Sequence, residues 1–217
     1  MPPCLVLIRH AQAIHNCSAL RQNIYDRFGN QIRDISDAAI IASPMHRTLQ
    51  TAEIVTGWLV DRGVKIVANA DWQAKDCSEN SDKPCDTGSP IIKLESEFPA
   101  VDFSTVDPVW PDKTTAQGKR YAYTRPAILA RGRQCLEDLY RRPEKFIFVV
   151  SHSAFLRLGV TGYKWMNGDY RIFTLEEDGS GIVKLRQDNT TLSGGLGMSP
   201  SEPVELGSED LLGREGH

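Results

Sequence analysis

The stretch VLIRHAQAIHN, residues 6–16, joins an apolar run to an Arg-His pair and then to small and amide side chains. The apolar run begins at Cys4, and a continuous run of this kind is typical of a strand buried on both faces of a parallel sheet. Open α/β sheets place their functional sites at the carboxyl ends of the strands. Arg9 and His10 therefore stand where a site is expected, and the function depends on which residues meet them there.

The rest of the chain alternates between strand and helix patterns. Further apolar runs predict buried strands at residues 38–43, 64–69 and 145–152. Apolar residues at helical spacing predict helices at 18–28, 44–62 and 114–142. A short helix from Ala154 and two strands joined by the turn EDGSG, YRIFTLEE (170–177) and GIVKLRQ (181–187), complete the pattern. The alternation predicts an α/β fold, a three-layer α/β/α sandwich with a mostly parallel sheet.

Composition limits the classes of function. The chain has 217 residues, of which 41% are hydrophobic and 24% charged, as in a soluble protein with one sizeable core. A net charge of −3 and the absence of an apolar run of ~20 residues predict neither a nucleic-acid nor a membrane partner.

Scattered cysteines favour reduced thiols in a cytoplasmic protein, with a local Cys77–Cys85 disulfide as the alternative. Residues 1–187 are predicted to be one domain, and 188–217 a flexible or surface-draped tail.

Other strand ends supply groups compatible with Arg9 and His10. The strand at 38–43 leads to Ser43 and, one turn later, to Arg47, and the strand at 145–152 ends in His152. Two guanidiniums in one crevice suit a tetrahedral dianion, because arginine offers a fork of donors that matches phosphate oxygens. A neutral imidazole carries a lone pair near pH 7 and can accept a phosphoryl group. Each residue alone is more often structural, but together they predict a phosphate site.

Three stretches carry a resemblance to a known family: LIRHAQAIHN (7–16), SPMHRTLQTA (43–52) and VVSHSAFLR (149–157). Together they resemble the histidine phosphatase superfamily, also called the phosphoglycerate mutase-like family, with its Arg-His-Gly type of motif. KPCDTGS (83–89) and MNGDYRIF (166–173) are similar to its fungal members. The resemblance spans roughly residues 4–186.

The resemblance implies roles for individual residues. His10 would be the nucleophile that becomes a phosphohistidine. The phosphate pocket around it would be formed by Arg9, Arg47 and His152. Substrate contacts at its edge would come from Gln12, Asn16 and Ser153. The proton donor is expected between the second Arg and the second His, where Glu79 is the candidate and Asp76 and Asp86 are the alternatives. The arginines neutralise the phosphate charge, so neither a metal nor another cofactor is expected.

Two features depart from the family pattern. Ala11 and Gln12 stand where the family has Gly and usually, one position later, Glu. Relatives also carry a segment with Pro-Leu-Thr and Gly-x-x-Gln before the first helix, whereas here Asn16 passes almost directly into CSALRQN. Either the natural protein lacks that segment or the sequence omits a loop that borders the phosphate site.

The leading hypothesis is a metal-independent phosphomonoester hydrolase that acts on a small phosphorylated substrate. The alternatives are a mutase, which would carry longer lid segments, and a phosphate-binding or repurposed member of the fold. The protein is expected to be a monomer or a homodimer. Aromatic residues in segments that could cap the site would favour a bulky apolar substrate if they line its mouth, and are otherwise packing residues: Trp72, Phe103, Trp110, Tyr121 and Tyr123.

Overall fold

The computed structural model describes residues 2–74, 88–112, 115–179 and 181–208, without the side chains of residues 14 and 15. The strands of the described chain are β1 (Cys4–Arg9), β2 (Ala38–Ala42), β3 (Ile66–Ala68), β4 (Val101–Asp102), β5 (Phe146–Ser151), β6 (Tyr170–Glu177) and β7 (Val183–Gln187). They form one seven-stranded sheet in the order β4-β3-β2-β5-β1-β6-β7. The five strands from β4 to β1 are parallel, and β6 and β7 add an antiparallel edge. The prediction of a mostly parallel sheet is confirmed.

Helices cover both faces of this sheet. They are α1 (Ile14–Phe28), α2 (His46–Val60), α3 (Ile91–Glu97), α4 (Arg125–Tyr140) and α5 (Ser153–Phe155), which continues as a π-helix over Leu156–Thr161. Val6 and Ile8 of β1 pack in one core with α1 and α2, whereas Leu5 and Leu7 pack in the other with α4 and α5. Successive residues of a strand point to opposite faces, so one apolar run supplies both cores. The three-layer prediction is therefore confirmed.

The helix predicted over 114–142 is shorter, and its start has a local cause. The Thr124 side chain accepts from the backbone N–H of Ala127 at 3.4 Å, and Pro126 lies in the first turn. A threonine N-cap followed by proline is a strong helix start, so the preceding chain forms a separate 3₁₀ turn over Gln117–Tyr121. Two short elements, α3 and β4, were not predicted.

A close contact between α4 and the π-helix fixes the chain that follows β5. A Cβ atom on Gly132 would lie 1.8 Å from the carbonyl oxygen of Gly159, so only glycine allows the two backbones to approach this closely. The turn at His152, which lies between β5 and this π-helix, is thereby held against α4.

Residues 188–208, which sequence analysis assigned to the tail, lie against the sheet edge. Residues 189–200, here called the strap, contact the fully buried guanidinium of Arg171. That guanidinium donates to the carbonyl oxygens of Lys164, Thr191, Leu192 and Pro200. Residues 209–217 lie outside the described part of the chain. Within the described part, no helix combines the length and apolarity needed to cross a membrane.

Candidate active site

The sheet order brings the predicted phosphate-binding residues together. β1 and β5 are parallel neighbours, and the backbone N–H of His10 donates to the carbonyl of Ser151 at 3.0 Å. The rings of His10 and His152 consequently lie 5.2 Å apart, centroid to centroid, at an angle of 59°. β2 is the other neighbour of β5, and the Ser43 N–H donates to the Val150 carbonyl at 3.1 Å. This last contact delivers the start of α2, with Arg47, to the same edge.

His10 is buried and stands in the neutral form at physiological pH. Burial, followed by the positive charges of Arg47 and Arg9, lowers its pKa from 6.5 to about 4, against the opposing effect of a hydrogen bond to the Ala11 carbonyl. That bond joins Nδ1 to the carbonyl oxygen at 3.1 Å. Because a carbonyl only accepts, Nδ1 carries the proton and Nε2 keeps a lone pair. A neutral imidazole with a free Nε2 lone pair is the form that can attack phosphorus.

His152 is held between Arg47 and Ser43. Arg47 Nε donates to His152 Nδ1 at 3.3 Å, and His152 Nε2 lies 3.0 Å from Ser43 Oγ. A guanidinium only donates, so this contact assigns the lone pair to Nδ1 and the proton to Nε2, which donates to the serine hydroxyl. The second histidine is thus tied to the arginine beside it, and the two side chains hold their orientation together.

Arg9 contributes the second cation. Its Nη1 donates to the carbonyl of Trp165, while its buried Nε has no hydrogen-bond partner among the described residues. Burial and the neighbouring charge of Arg47 both lower the pKa of Arg9. Two guanidiniums that repel one another, one of them with an unused buried donor, form a site that a dianion would stabilise.

The chain that leads into β6 hydrogen-bonds to Arg9, His10 and Ser153. The backbone of residues 165–169 makes four hydrogen bonds to the pocket: Arg9 Nη1 and Ser153 Oγ donate to the Trp165 carbonyl, Arg9 N donates to the Asp169 carbonyl, and Gly168 N donates to the His10 carbonyl. Arg9, His10 and Ser153 therefore share one backbone support. Its position is set by contacts that lie farther along the chain.

Those contacts come from the strap. The buried Asp169 carboxylate accepts from the Leu196 N–H at 3.0 Å and from Ser199 Oγ at 2.6 Å. The Ser199 oxygen in turn accepts from the Met166 N–H at 3.0 Å. Gly194 has a φ of +82°, and a Cβ there would lie 1.8 Å from the Asp169 carboxylate, so the strap approaches Asp169 as only glycine permits. Sequence reasoning missed this support, because nothing in residues 189–200 shows periodicity.

Of the other predicted site residues, some lie beside the pocket and the candidate proton donors lie outside the described part of the chain. Gln12 is exposed, and Asn16 and Ser153 are half-buried beside the pocket. Glu79, Asp76 and Asp86 lie outside the described residues, as do Cys77 and Cys85. Cys4, Cys17 and Cys135 are free thiols. Among the residues that the structure describes, no three His, Cys, Asp or Glu side chains gather as a metal-binding group.

The aromatic residues proposed as a cap are mostly packing residues. The exposed fractions are 1% for Trp72, 5% for Phe103 and Trp110, and 3% for Tyr121. All four belong to the two hydrophobic cores, and the fifth, Tyr123, is half-buried against the second core. These positions support the packing interpretation and give no argument for a bulky apolar substrate.

A groove of about 330 Å³ opens beside the pocket, between α1 and the outer face of α2. It shares Arg47 with the predicted phosphate pocket, and Gln50 and Glu53 of α2 line it farther along. Sequence analysis did not single out Gln50 or Glu53. Their spacing from Arg47, three and six residues along one helix, was the available signal.

Two known proteins of Arabidopsis thaliana are similar to this chain in sequence. The "Phosphoglycerate mutase-like protein" of Arabidopsis thaliana is 29% identical over 194 aligned residues, which cover 69% of this chain and 70% of that protein. The "Phosphoglycerate mutase-like protein 1" of the same organism is 30% identical over 196 residues, covering 70% of this chain and 68% of the relative. Both alignments are longer than the part of this chain that they cover, so each relative carries residues within them that this chain lacks.

Solved structures of lower similarity also align. A mycobacterial glucosyl-3-phosphoglycerate phosphatase has 14% identity and a TM-score of 0.46, over 86% of this chain and 97% of that chain. A phosphoglycerate mutase from Bacillus anthracis has 14% identity and a TM-score of 0.43, over 86% of this chain and 92% of that chain. No protein-family profile matches the chain.

Proposed function

The chain belongs to the phosphoglycerate mutase-like family of the histidine phosphatase superfamily, and we propose that it is a metal-independent phosphomonoester hydrolase that acts through a phosphohistidine on His10. The observation that carries this proposal is the state of His10. It is a buried imidazole with a pKa of about 4, its Nδ1 proton bound by a carbonyl and its remaining lone pair beside two guanidiniums. This combination supports attack on a bound dianion at neutral pH.

The reaction has two balanced steps. A phosphate monoester binds between Arg9 and Arg47, and Nε2 of His10 forms a bond to phosphorus as the bond to the ester oxygen breaks. The leaving oxygen takes a proton from a carboxylic acid, for which Glu79 is the candidate and Asp76 and Asp86 are the alternatives. Water then attacks the phosphohistidine, its proton passes to the carboxylate, and phosphate leaves with His10 neutral again. Positioning and charge stabilisation by the arginines supply most of the acceleration.

The access of solvent favours hydrolysis over the mutase alternative. A mutase has to keep water from the phosphohistidine until the phosphoryl group returns to its substrate. Here Gln12 is exposed beside the nucleophile, Arg9 and Arg47 are half-buried, and the groove opens from the same place. A binding-only role is disfavoured because the nucleophile, both guanidiniums and the second histidine are all present in compatible geometry.

Further assignments are part of the same proposal. The substrate is a small phosphorylated molecule, and the protein is a cytoplasmic monomer or homodimer of fungal type. KPCDTGS and MNGDYRIF support the fungal assignment, and the three free thiols support a reducing compartment. Residues 1–187 form the catalytic domain, and residues 189–200 add the strap to its edge.

The test is hydrolysis of p-nitrophenyl phosphate from pH 4 to 8 in EDTA, with His10→Ala beside the wild type. His46→Ala is the matched control, because His46 starts α2 next to Arg47 but pairs with Glu97 at 2.7 Å. We expect EDTA-resistant turnover that His10→Ala reduces at least about a thousandfold and His46→Ala retains. Alkaline quenching of the wild type should trap a phosphorylated chain, detected by intact mass and absent from His10→Ala. Turnover that survives in His10→Ala, or that EDTA abolishes, would refute the mechanism.

A further inference from the structure

The groove beside the proposed phosphate pocket begins at Arg47, a residue that the two share. Six of its lining residues are Gln12, Cys17, Arg47, Gln50, Glu53 and Ile54. Thr51 links the groove to the chain after the nucleophile, since its Oγ1 accepts from the Ala11 N–H at 3.1 Å. A monoester with its phosphate on Arg47 can therefore extend its alcohol part along the groove.

The length of the groove suits a small molecule. Glu53 lies six residues beyond Arg47 on α2, and a rise of 1.5 Å per residue separates the two backbone positions by ~9 Å along the helix axis. That distance corresponds to a chain of a few carbon atoms beyond the ester oxygen. The volume of about 330 Å³ is at the lower end of ligand pockets, which agrees with a small substrate.

The lining combines apolar groups with two carboxamides and is not basic. Gln12 and Gln50 offer carboxamides, which both donate to and accept from hydroxyl groups. Of the described residues that line the groove, Arg47 carries the only positive charge. In the proposed reaction that charge pairs with the transferred phosphate. Arg21 lies beyond the lining, where it donates to the Ile54 carbonyl at 3.3 Å. Cys17 and Ile54 supply apolar contact for carbon atoms.

Glu53 is the acidic residue among those that line the groove. The side chain is half-buried, and burial raises the pKa of its carboxyl group, so it stands in a less polar environment than a solvated surface glutamate. A carboxylate in such a place accepts hydrogen bonds from hydroxyl groups and repels a second anionic group on the substrate.

From these observations we propose that the groove is the subsite for the alcohol part of the substrate, and that Glu53 selects an uncharged, hydroxyl-bearing group over one that carries a carboxylate or a second phosphate. This inference rests on the proposed function, because it requires the transferred phosphate to lie on Arg9 and Arg47. It assigns a substrate class, phosphorylated polyols and sugars with a single anionic group, and it gives a second reason to favour a phosphatase over a mutase of phosphorylated acids.

Two substrates test the charge preference with little change in shape. Glycerol 3-phosphate and 3-phosphoglycerate share three carbons and the phosphate position, and differ in having a hydroxymethyl group or a carboxylate at the far end. We expect the wild type to have the higher kcat/KM for glycerol 3-phosphate. Glu53→Gln should reduce that preference by about fivefold, mainly through a lower KM for 3-phosphoglycerate, since it removes one partly screened charge. Gln50→Glu should increase the preference by adding a second carboxylate.

Glu177→Gln is the matched control, because Glu177 is exposed at the far end of β6, away from the carboxyl edge of β1, and loses the same charge. Its substrate preference should equal that of the wild type. A wild-type preference for 3-phosphoglycerate, or an unchanged ratio in folded Glu53→Gln, would overturn the groove assignment. If that happens while p-nitrophenyl phosphate turnover still depends on His10, the groove assignment alone fails. If turnover does not depend on His10, the proposed function itself fails.

Discussion

The phosphate pocket and the groove beside it adjoin each other but are built in different ways. Arg9, His10 and His152 lie at or directly after strand ends, and backbone hydrogen bonds between neighbouring strand ends fix the positions of the two histidines. Groove residues such as Gln12 and Gln50 are exposed, and Glu53 is half-buried on a helix face. A change in the pocket disturbs buried, hydrogen-bonded groups, whereas a change on the helix face leaves the sheet intact. Under the proposed function, the sheet fixes the catalytic residues, whereas the residues proposed to select the substrate lie on a helix face that can vary without disturbing the sheet.

The largest effect expected from a residue other than the nucleophile belongs to the proposed acid. Glu79→Gln should slow hydrolysis of alkyl phosphates by about a thousandfold and hydrolysis of p-nitrophenyl phosphate by much less, because nitrophenolate leaves without a proton. Measuring kcat for both substrates in this variant, with Asp76→Asn and Asp86→Asn beside it, identifies the donor. Equal losses for both substrates in Glu79→Gln would move the acid role to another carboxylate.

The next effect tests whether the arginines serve the transition state. Arg47→Ala should lower kcat/KM by about 150-fold, equivalent to about 3 kcal/mol, because a charged donor to the transferring phosphoryl group is lost. Arg9→Ala is expected to fall in the same range. Arg33→Ala, which removes the same charge from an exposed position after α1, should remain within twofold of the wild type. A small loss in Arg47→Ala would mean that the phosphate lies elsewhere.

A smaller effect on kcat/KM tests whether the strap positions the pocket residues or only covers the sheet edge. Ser199→Ala and Thr191→Val each remove a strap hydroxyl that accepts from a backbone N–H, of Met166 and Ile172 respectively. Each variant leaves a backbone donor without its partner, so both should lower the melting temperature by a few degrees. Of these two hydroxyls, the one that hydrogen-bonds to residues 165–169 is that of Ser199, and we expect about a tenfold loss of kcat/KM in Ser199→Ala alone.

The comparison of these two variants is informative because each loses a strap hydroxyl that makes two hydrogen bonds, one accepted and one donated. Similar activity in both, at similar melting temperatures, would show that the strap only covers the sheet edge. A loss of kcat/KM confined to Ser199→Ala, together with weaker inhibition by inorganic phosphate, would show that the strap positions Arg9 through its hydrogen bonds to residues 165–169.

Sequence reasoning succeeded where local pattern and topology agree. The run at 4–8 and the stretch FIFVV (146–150) within the predicted strand 145–152 are apolar throughout, and parallel pairing of such strands requires Arg9, His10 and His152 to share an edge. The strap was not predicted as ordered chain, because its order depends on Asp169 and Arg171, which lie elsewhere in the sequence and are buried only in the fold. Similarly, Glu53 carries no motif, and its place in a groove depends on how α1 packs against α2.

The smallest effect is a shift in the titration of His10. In the free protein its pKa is about 4, because burial and two guanidiniums disfavour the imidazolium, so protonation of His10 should lower kcat/KM only as the pH drops through about 4. A bound phosphate dianion offsets the charges of Arg9 and Arg47 and favours the protonated ring, which should raise this pKa. Histidine-selective NMR titration, assigned with His10→Asn, measures it with and without phosphate. A free-protein pKa near 6.5 would mean that His10 is solvated and is not held beside the arginines, and the distinction between a fixed pocket and a variable groove would fail at its central residue.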